Sequence, residues 1–125
     1  MADSILIAED NPINREIAWA LLDDAGLQVD QAENGREAVQ LAEQKHFDLI
    51  LMDMQMPELN GVDATLEIRA LEGCASTPII ALTANAFDED RQVCLEAGMN
   101  DHIAKPFSPE VLFGSILKWL EKSRA

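Results

Sequence analysis

Positive charge is scarce in this sequence. Lys and Arg together number 9 against 23 Asp and Glu, which gives a formal net charge of -14 at pH 7. Proteins that bind nucleic acid need clustered Lys and Arg to neutralise phosphates, so this balance argues against nucleic acid as a direct partner. An acidic chain suits a cation or a basic patch on another protein instead, although general solubility would explain the same excess.

Cysteines and long apolar runs are also lacking. Cys74 and Cys94 are too few for a disulfide framework, and we expect both to be reduced thiols in the cytoplasm. No apolar run approaches the ~20 residues that span a bilayer, and the first residues show no signal-peptide pattern. We therefore expect no membrane contact by this segment.

What the sequence does contain is a strand followed by a helix, five times over. The predicted strands are 4–8, 27–32, 48–52, 78–82 and 101–104, and the predicted helices are 12–25, 35–44, one after 61, 86–97 and one from 109. Strict alternation predicts one α/β domain over 1–125, with a parallel sheet and helices on both faces. We expect the doubly wound, flavodoxin-like order 2-1-3-4-5. Ile17 and Leu66 are expected on the buried sides of the first and third helices.

The stretch 48–61, DLILMDMQMPELNG, is the centre of this pattern. Its apolar run is typical of a strand covered on both faces, and the run ends at Asp53. Other polar residues follow other strands: Glu9 and Asp10 the first, Thr83 the fourth and Lys105 the fifth. Because the carboxyl ends of parallel strands lie at one rim of the sheet, we expect these side chains to meet there.

Three carboxylates on one rim have specific chemical consequences. Two carboxylates ~4 Å apart repel by ~4 kcal/mol at an effective dielectric near 20, so the cluster either raises a pKa or holds a cation. Oxygen ligands without His or Cys favour a hard ion, Mg²⁺ above all. Lys105 and the Thr83 hydroxyl would suit a phosphoryl group, and Asp53 could attack it to form an acyl phosphate. The alternative is that each residue is only a loop or cap residue.

Four segments of the sequence, AEDNPINR, ILMDMQMPELNG, ALTANAF and AGMNDHIAKPF, carry a family resemblance. They resemble the response-regulator receiver domains of two-component phosphorelays, most of all the receivers of hybrid sensor histidine kinases. The resemblance implies that Asp53 accepts a phosphoryl group from a phosphohistidine, with Lys105 and Thr83 on the phosphoryl oxygens. It also implies a cis bond before Pro106. The implied ligands of Mg²⁺, or of Mn²⁺ as a possible substitute, are Glu9, Asp10, Asp53 and the backbone carbonyl of Gln55.

The same resemblance implies a switch and a set of partners. Thr83 would move toward the phosphate, but His102 stands where many members have Tyr or Phe, so the usual aromatic coupling to Thr83 is altered. A histidine kinase domain would be the donor. A histidine phosphotransfer domain would dock on the first helix, near Arg15, Glu16 and Trp19.

Several alternatives stay open at this point. The chain could be a stand-alone response regulator, part of a hybrid kinase whose parent is anchored in the inner membrane, or an interaction module that never accepts phosphate. Such a domain would catalyse only its own phosphorylation and dephosphorylation. A metal-dependent phosphatase is disfavoured, because those enzymes usually place a second Asp where Gln55 stands. Gln55 and Asn85 are expected to flank the pocket and to tune the phosphoryl lifetime.

Overall fold

The computed structural model describes residues 3–56, 58–83, 88–105 and 107–124. Within these ranges five strands alternate with five helices, as predicted. In chain order the elements are β1 (Ser4–Ala8), α1 (Pro12–Asp24), β2 (Gln28–Ala32), α2 (Gly35–Gln44), β3 (Leu49–Asp53), α3 (Gly61–Arg69), β4 (Ile79–Thr83), α4 (Asp88–Ala97), β5 (Asp101–Ala104) and α5 (Pro109–Arg124). No helix in these ranges combines the length and apolar character that crossing a membrane requires.

The five strands form one parallel sheet in the order β2-β1-β3-β4-β5, which confirms the predicted topology. β1 and β3 are neighbours, and Ala8 pairs in register with Met52. The next two residues, Glu9 just after β1 and Asp53 at the end of β3, therefore lie side by side. Strand order thus places the acids predicted from the sequence at one edge.

The three inner strands, β1, β3 and β4, bury alternate residues in two cores. Leu6, Ile50 and Ile79 face the core under α2, α3 and α4. Their chain neighbours face the core under α1 and α5, as Ile7 and Leu51 do. β3 is buried along its whole length, so the strand that carries Asp53 is held from both faces.

Polar caps fix where the helices begin near the rim. Asn11 Oδ1 accepts hydrogen bonds from the backbone N–H groups of Ile13 and Asn14, at 2.9 and 3.1 Å, and Pro12 occupies the first helical position of α1. Asn60 caps α3 in the same way, through a 2.9 Å hydrogen bond from the backbone N–H of Asp63. The loops that follow β1 and β3 are therefore short and fixed at both ends.

Two predicted core residues lie on the outside. Ile17 is 49% exposed and Leu66 is 51% exposed, so the prediction that they face the core is wrong. Ala18 and Leu22 fill the core position of α1, and a residue next to Ala18 in a helix points ~100° away from it. Both cysteines are thiols; Cys94 is buried, as expected. Residues 86 and 87, predicted as the start of the fourth helix, lie outside the described residues.

Candidate functional site

The acids at the ends of β1 and β3 form a cluster. Glu9 is 1% exposed and Asp53 is 3% exposed, whereas Asp10 is open to solvent. One carboxylate oxygen from each of the three residues lies within 4.8 Å of the others. The sequence prediction that these side chains meet is therefore confirmed in the structure.

Lys105 reaches the same cluster from the end of β5. Its backbone N–H donates to the Thr83 carbonyl oxygen at 2.7 Å, which keeps the residue beside β4. Its Nζ lies 3.0 and 3.1 Å from the two carboxylate oxygens of Glu9 and 3.2 Å from Asp53 Oδ2. One ammonium thus bridges two buried carboxylates.

The backbone around Asp53 is fixed by its neighbours. Asp53 Oδ1 accepts a hydrogen bond from the Gln55 N–H at 3.2 Å, and the Met54 N–H donates to the Leu82 carbonyl at 3.0 Å. A Cβ at Gly61 would collide with the Asp53 carbonyl oxygen. Glycine there allows α3 to begin directly against the end of β3, and the Gly61 N–H donates to Met54 O at 3.1 Å.

The first turn of α1 supplies two contacts that the sequence reasoning missed. Asn14 Nδ2 donates to Glu9 Oε1 at 3.1 Å, and Arg15 Nη1 donates to the Glu9 carbonyl oxygen at 2.9 Å. Arg15 also reaches Glu33 at 3.5 Å, and its side chain is only 14% exposed. Arg15, predicted as part of a partner surface, thus connects α1 to the residue after β1 and to the residue after β2. A sequence signal existed, because Asn14 and Arg15 lie three and four residues after the cap Asn11, which comes only two residues after Glu9.

The three acids, Asn14 and Lys105 line one open hollow of about 460 Å³. Thr83, predicted to lie here, is buried and forms part of its wall, as do Gln55 and Asn60. The hollow is large enough for a phosphoryl group with its waters. Its walls carry carboxylates, amides, a hydroxyl and one ammonium.

Burial and the crowding of like charges together shift the pKa values of this site. Burial raises the pKa of Asp53 to about 6, and the adjacent Glu9 carboxyl adds to the rise against the opposing Gln55 N–H and Lys105. Partial desolvation and the neighbouring Asp53 raise the pKa of Asp10 as well. Burial alone would lower the pKa of Lys105, but its contacts with Glu9 and Asp53 outweigh that effect and raise it. The site therefore holds more negative charge than its one lysine satisfies.

This donor set fits a hard divalent cation. All three candidate ligands are carboxylates, Asp10 opens to solvent where water ligands could enter, and a dication would offset the burial and the repulsion that raise the pKa of Asp53. Mg²⁺ is the ion that such an oxygen-only, partly hydrated site suits. The ligand role of the Gln55 backbone carbonyl stays a prediction.

Other predicted residues lie away from the hollow or outside the residues that the structure describes. His102 is on β5 with a side chain 21% exposed, near Cys94 and Leu95 of α4. Glu16 and Trp19 lie on the outside of α1, and Trp19 is 36% exposed. The predicted cis bond at Pro106 and the predicted role of Asn85 fall on residues outside the described ranges.

Comparison with known proteins agrees with this geometry. Residues 5–117 match the response regulator receiver domain family. The sensor protein GacS of Pseudomonas syringae pv. syringae is 42% identical over 121 residues, which is 94% of this chain and 13% of GacS. The chain thus spans about an eighth of that relative's length.

Two solved structures are informative. The receiver domain of the sensor histidine kinase PA1611 from Pseudomonas aeruginosa, solved with a magnesium ion coordinated in its active-site cleft, is 45% identical, with a TM-score of 0.91 over 97% of this chain and 99% of that one. The receiver domain of Ssk1 from Saccharomyces cerevisiae, crystallised with the histidine phosphotransfer protein Ypd1, is 33% identical, with a TM-score of 0.89 over 94% of this chain and 88% of that one. Sequence match, fold and site geometry agree, and this chain belongs to the response regulator receiver domain family.

Proposed function

We propose that this chain is a phosphoryl-accepting switch of a phosphorelay, in which Asp53 takes a phosphoryl group from a phosphohistidine. The observation that carries the proposal is the buried Asp53 carboxylate, which shares one hollow with two further acids and has the Lys105 ammonium 3.2 Å from its Oδ2. A carboxylate in this setting can act as a nucleophile toward phosphorus while nearby charges stabilise the transferring oxygens.

The transfer exchanges one bond to phosphorus for another. An oxygen of Asp53 forms the new P–O bond, the P–N bond to the donor imidazole breaks, and its electron pair returns to that nitrogen. Lys105 and the Thr83 hydroxyl would donate hydrogen bonds to the phosphoryl oxygens, because both residues lie on the wall of the same hollow. Mg²⁺, held by Glu9, Asp10, Asp53 and the Gln55 carbonyl, would offset the negative charge of the transferring group.

Labelling with a small phosphodonor tests this proposal. Acetyl phosphate and Mg²⁺ should add one phosphoryl group, measured by intact mass, and Asp53→Asn should abolish the addition. Asp24→Asn, which changes an exposed aspartate at the end of α1, is the matched control and should label normally. Labelling that survives Asp53→Asn would overturn the proposal, and steady turnover of a phosphate ester would indicate a phosphatase instead.

The switch would start at Thr83. Phosphorylation adds roughly -1.5 to -2 charges at Asp53, and a hydroxyl donor would be drawn toward them. In the sheet, Thr83 ends β4, and His102 pairs in register with Ala81 of that strand. His102 borders α4 through Cys94 and Leu95, so we propose that it passes the movement of Thr83 to α4 in place of the more usual aromatic residue.

We also propose that a histidine phosphotransfer domain docks over the outer side of α1. A donor must cover the hollow, because Asp53 is only 3% exposed. Ile13 and Ile17, 68% and 49% exposed, lie on the helix whose first turn lines that hollow, and Glu16 and Trp19 are on the same helix. Exposed apolar side chains beside a reactive site are typical of protein-binding surfaces. The Ssk1–Ypd1 complex supports the class of partner.

A matched pair of variants tests the docking surface. Ile17→Ser should slow transfer from a phosphorylated phosphotransfer domain at least several-fold, and Trp19→Ala should also slow it, while labelling by acetyl phosphate stays normal. Leu66→Ser is the control, because Leu66 is 51% exposed on α3, on the opposite face of the sheet. Equal transfer rates for Ile17→Ser and Leu66→Ser would contradict this surface.

For the whole protein we propose a hybrid sensor histidine kinase whose receiver segment lies in the cytoplasm, with its own kinase domain as the donor. The support is the similarity to GacS, of which this chain matches one segment. Reading the complete coding frame tests this proposal, since a frame without a kinase domain would leave a stand-alone regulator.

A further inference from the structure

Glu9 is an almost fully enclosed carboxylate whose position is fixed from several sides. Its backbone N–H donates to the Ala32 carbonyl at 3.1 Å, and its own carbonyl accepts from Arg15 at 2.9 Å. Its carboxylate accepts from Lys105 through both oxygens and from Asn14 through Oε1. Two side chains therefore hold the carboxylate of Glu9: the charged ammonium of Lys105 and the neutral amide of Asn14.

Lys105 is a shared partner. Its Nζ also lies 3.2 Å from Asp53 Oδ2, and in the proposed function its charge is required at the phosphoryl oxygens. Each step that draws Lys105 toward the phosphoryl group weakens its hold on Glu9. A buried carboxylate that loses its donor is strongly destabilised, so the site needs a second donor that stays in place.

Asn14 has the features of that permanent donor. It lies in the first turn of α1, where its backbone N–H is held by Asn11 Oδ1 at 3.1 Å, and its side chain is half-buried on the wall of the hollow. Its amide carries no charge, so neither a cation nor a phosphoryl group competes strongly for it. Glu9 has one more rotatable bond than an aspartate, and a fixed donor on Oε1 limits its rotamers.

We propose that Asn14 is a positioning residue that holds the Glu9 carboxylate in its ligating orientation and thereby sets the affinity of the site for Mg²⁺. The proposal rests on the proposed function, in which Glu9 serves the metal. Side chains that orient a ligand change metal affinity about 10–100-fold when they are removed. Asn14→Ala should therefore raise the dissociation constant for Mg²⁺ by roughly 10-fold.

The experiment compares metal affinity, rate and stability in the same set of variants. Magnesium chloride is titrated into wild type, Asn14→Ala and Asn14→Gln by calorimetry, and acetyl phosphate labelling is followed across Mg²⁺ concentrations. Asn14→Ala should shift the half-saturating Mg²⁺ upward while the labelling rate at saturating Mg²⁺ stays within about twofold. Asn14→Gln keeps an amide donor and should recover part of the affinity. Melting in EDTA should change little, because Lys105 still contacts both oxygens of Glu9 when no phosphoryl group is bound, and this separates positioning from general destabilisation.

Gln40→Ala is the matched control, because it removes an exposed amide from α2, away from the hollow. Unchanged Mg²⁺ affinity in Asn14→Ala would overturn this inference and leave the proposed function intact. Equal losses in Asn14→Ala and Asn14→Gln would also overturn it, since keeping an amide donor would then make no difference to the affinity. Wild type that neither binds Mg²⁺ nor accepts a phosphoryl group would instead remove the proposed function itself. If the alanine variant fails to fold, Asn14→Ser provides the same comparison.

Discussion

Replacing Asp53 with Asn should stabilise the metal-free domain, although under the proposed function it should abolish phosphorylation. Asn has the shape of Asp and keeps an oxygen for the Gln55 N–H, which donates to Asp53 Oδ1 at 3.2 Å. What it removes is a buried negative charge beside Glu9 and Asp10. A carboxylate that matters for chemistry is therefore predicted to reduce stability when no cation is bound.

The size of the effect follows from the pKa of Asp53, which rises from 3.8 to about 6. Because the folded-state pKa lies above the unfolded value, the folded protein holds this proton more tightly, and stability is lost as the pH rises from about 4 through about 6. At ~1.4 kcal/mol per pKa unit, the ionised carboxylate destabilises the fold by about 3 kcal/mol at most. Asn is an imperfect copy of the protonated acid, so we expect a gain of about 1–3 kcal/mol, or roughly 5–10 °C in melting temperature.

Urea unfolding in EDTA at pH 7.5 and pH 5 measures this gain. The advantage of Asp53→Asn over wild type should fall by about half at pH 5, because most of the Asp53 carboxyl is then protonated in the folded state. Glu72→Gln removes one exposed acid from the loop after α3 and controls for net charge. Mg²⁺ at ~20 times its dissociation constant should stabilise wild type by about 2 kcal/mol and the variant much less. Equal stability of the two proteins at pH 7.5, or a difference that grows as the pH falls, would refute the reasoning.

Two further predictions concern the supporting structure. Arg69 is half-buried and donates hydrogen bonds of 2.7–3.0 Å to four acceptors. Arg69→Met should therefore lower the free energy of unfolding in urea by about 3 kcal/mol or more. Arg69→Lys should also lose stability, because one ammonium cannot donate to all four acceptors. Thr65 is fully buried, and its hydroxyl has no hydrogen-bond partner in the described part of the chain, so Thr65→Val should raise the melting temperature, with a gain of about 1 kcal/mol. A loss of stability in Thr65→Val would show that the hydroxyl is satisfied.

The rim of acids could be predicted from the sequence because it depends on backbone topology. Unbroken apolar runs locate the strands, strict alternation with helices fixes their direction, and the strand order brings the residues after β1 and β3 together. The positions of Glu9, Asp53 and Lys105 follow from where their strands end. Their meeting at 3.0–3.2 Å is the result that this logic predicts.

Contacts that depend on side-chain direction could not be predicted in the same way. Ile17 is exposed and its neighbour Ala18 is buried. An apolar pattern in the sequence does not locate the boundary of the buried helix face to within one residue. The acceptors of the Arg69 hydrogen bonds lie 5 to 31 residues away in the sequence, just before β4 and β5, and no local sequence pattern predicts these contacts. Asn14 and Arg15 were within reach of sequence reasoning, but only if the capped start of α1 had been used to orient its first turn toward Glu9.

The charge balance of the hollow links its stability to its function. Three carboxylates face one ammonium, so two negative charges remain, and a single dication would balance them. Without that ion an incoming phosphoryl group, itself negative, would meet a repulsive site. In the proposed function, with that ion bound, Lys105 would then leave Glu9 for the phosphoryl oxygens, provided that another donor keeps Glu9 in place. The same burial and repulsion that raise the pKa of Asp53 would therefore make the site depend on a cation before it can accept a phosphoryl group, and Asn14 is the side chain whose removal should expose that dependence.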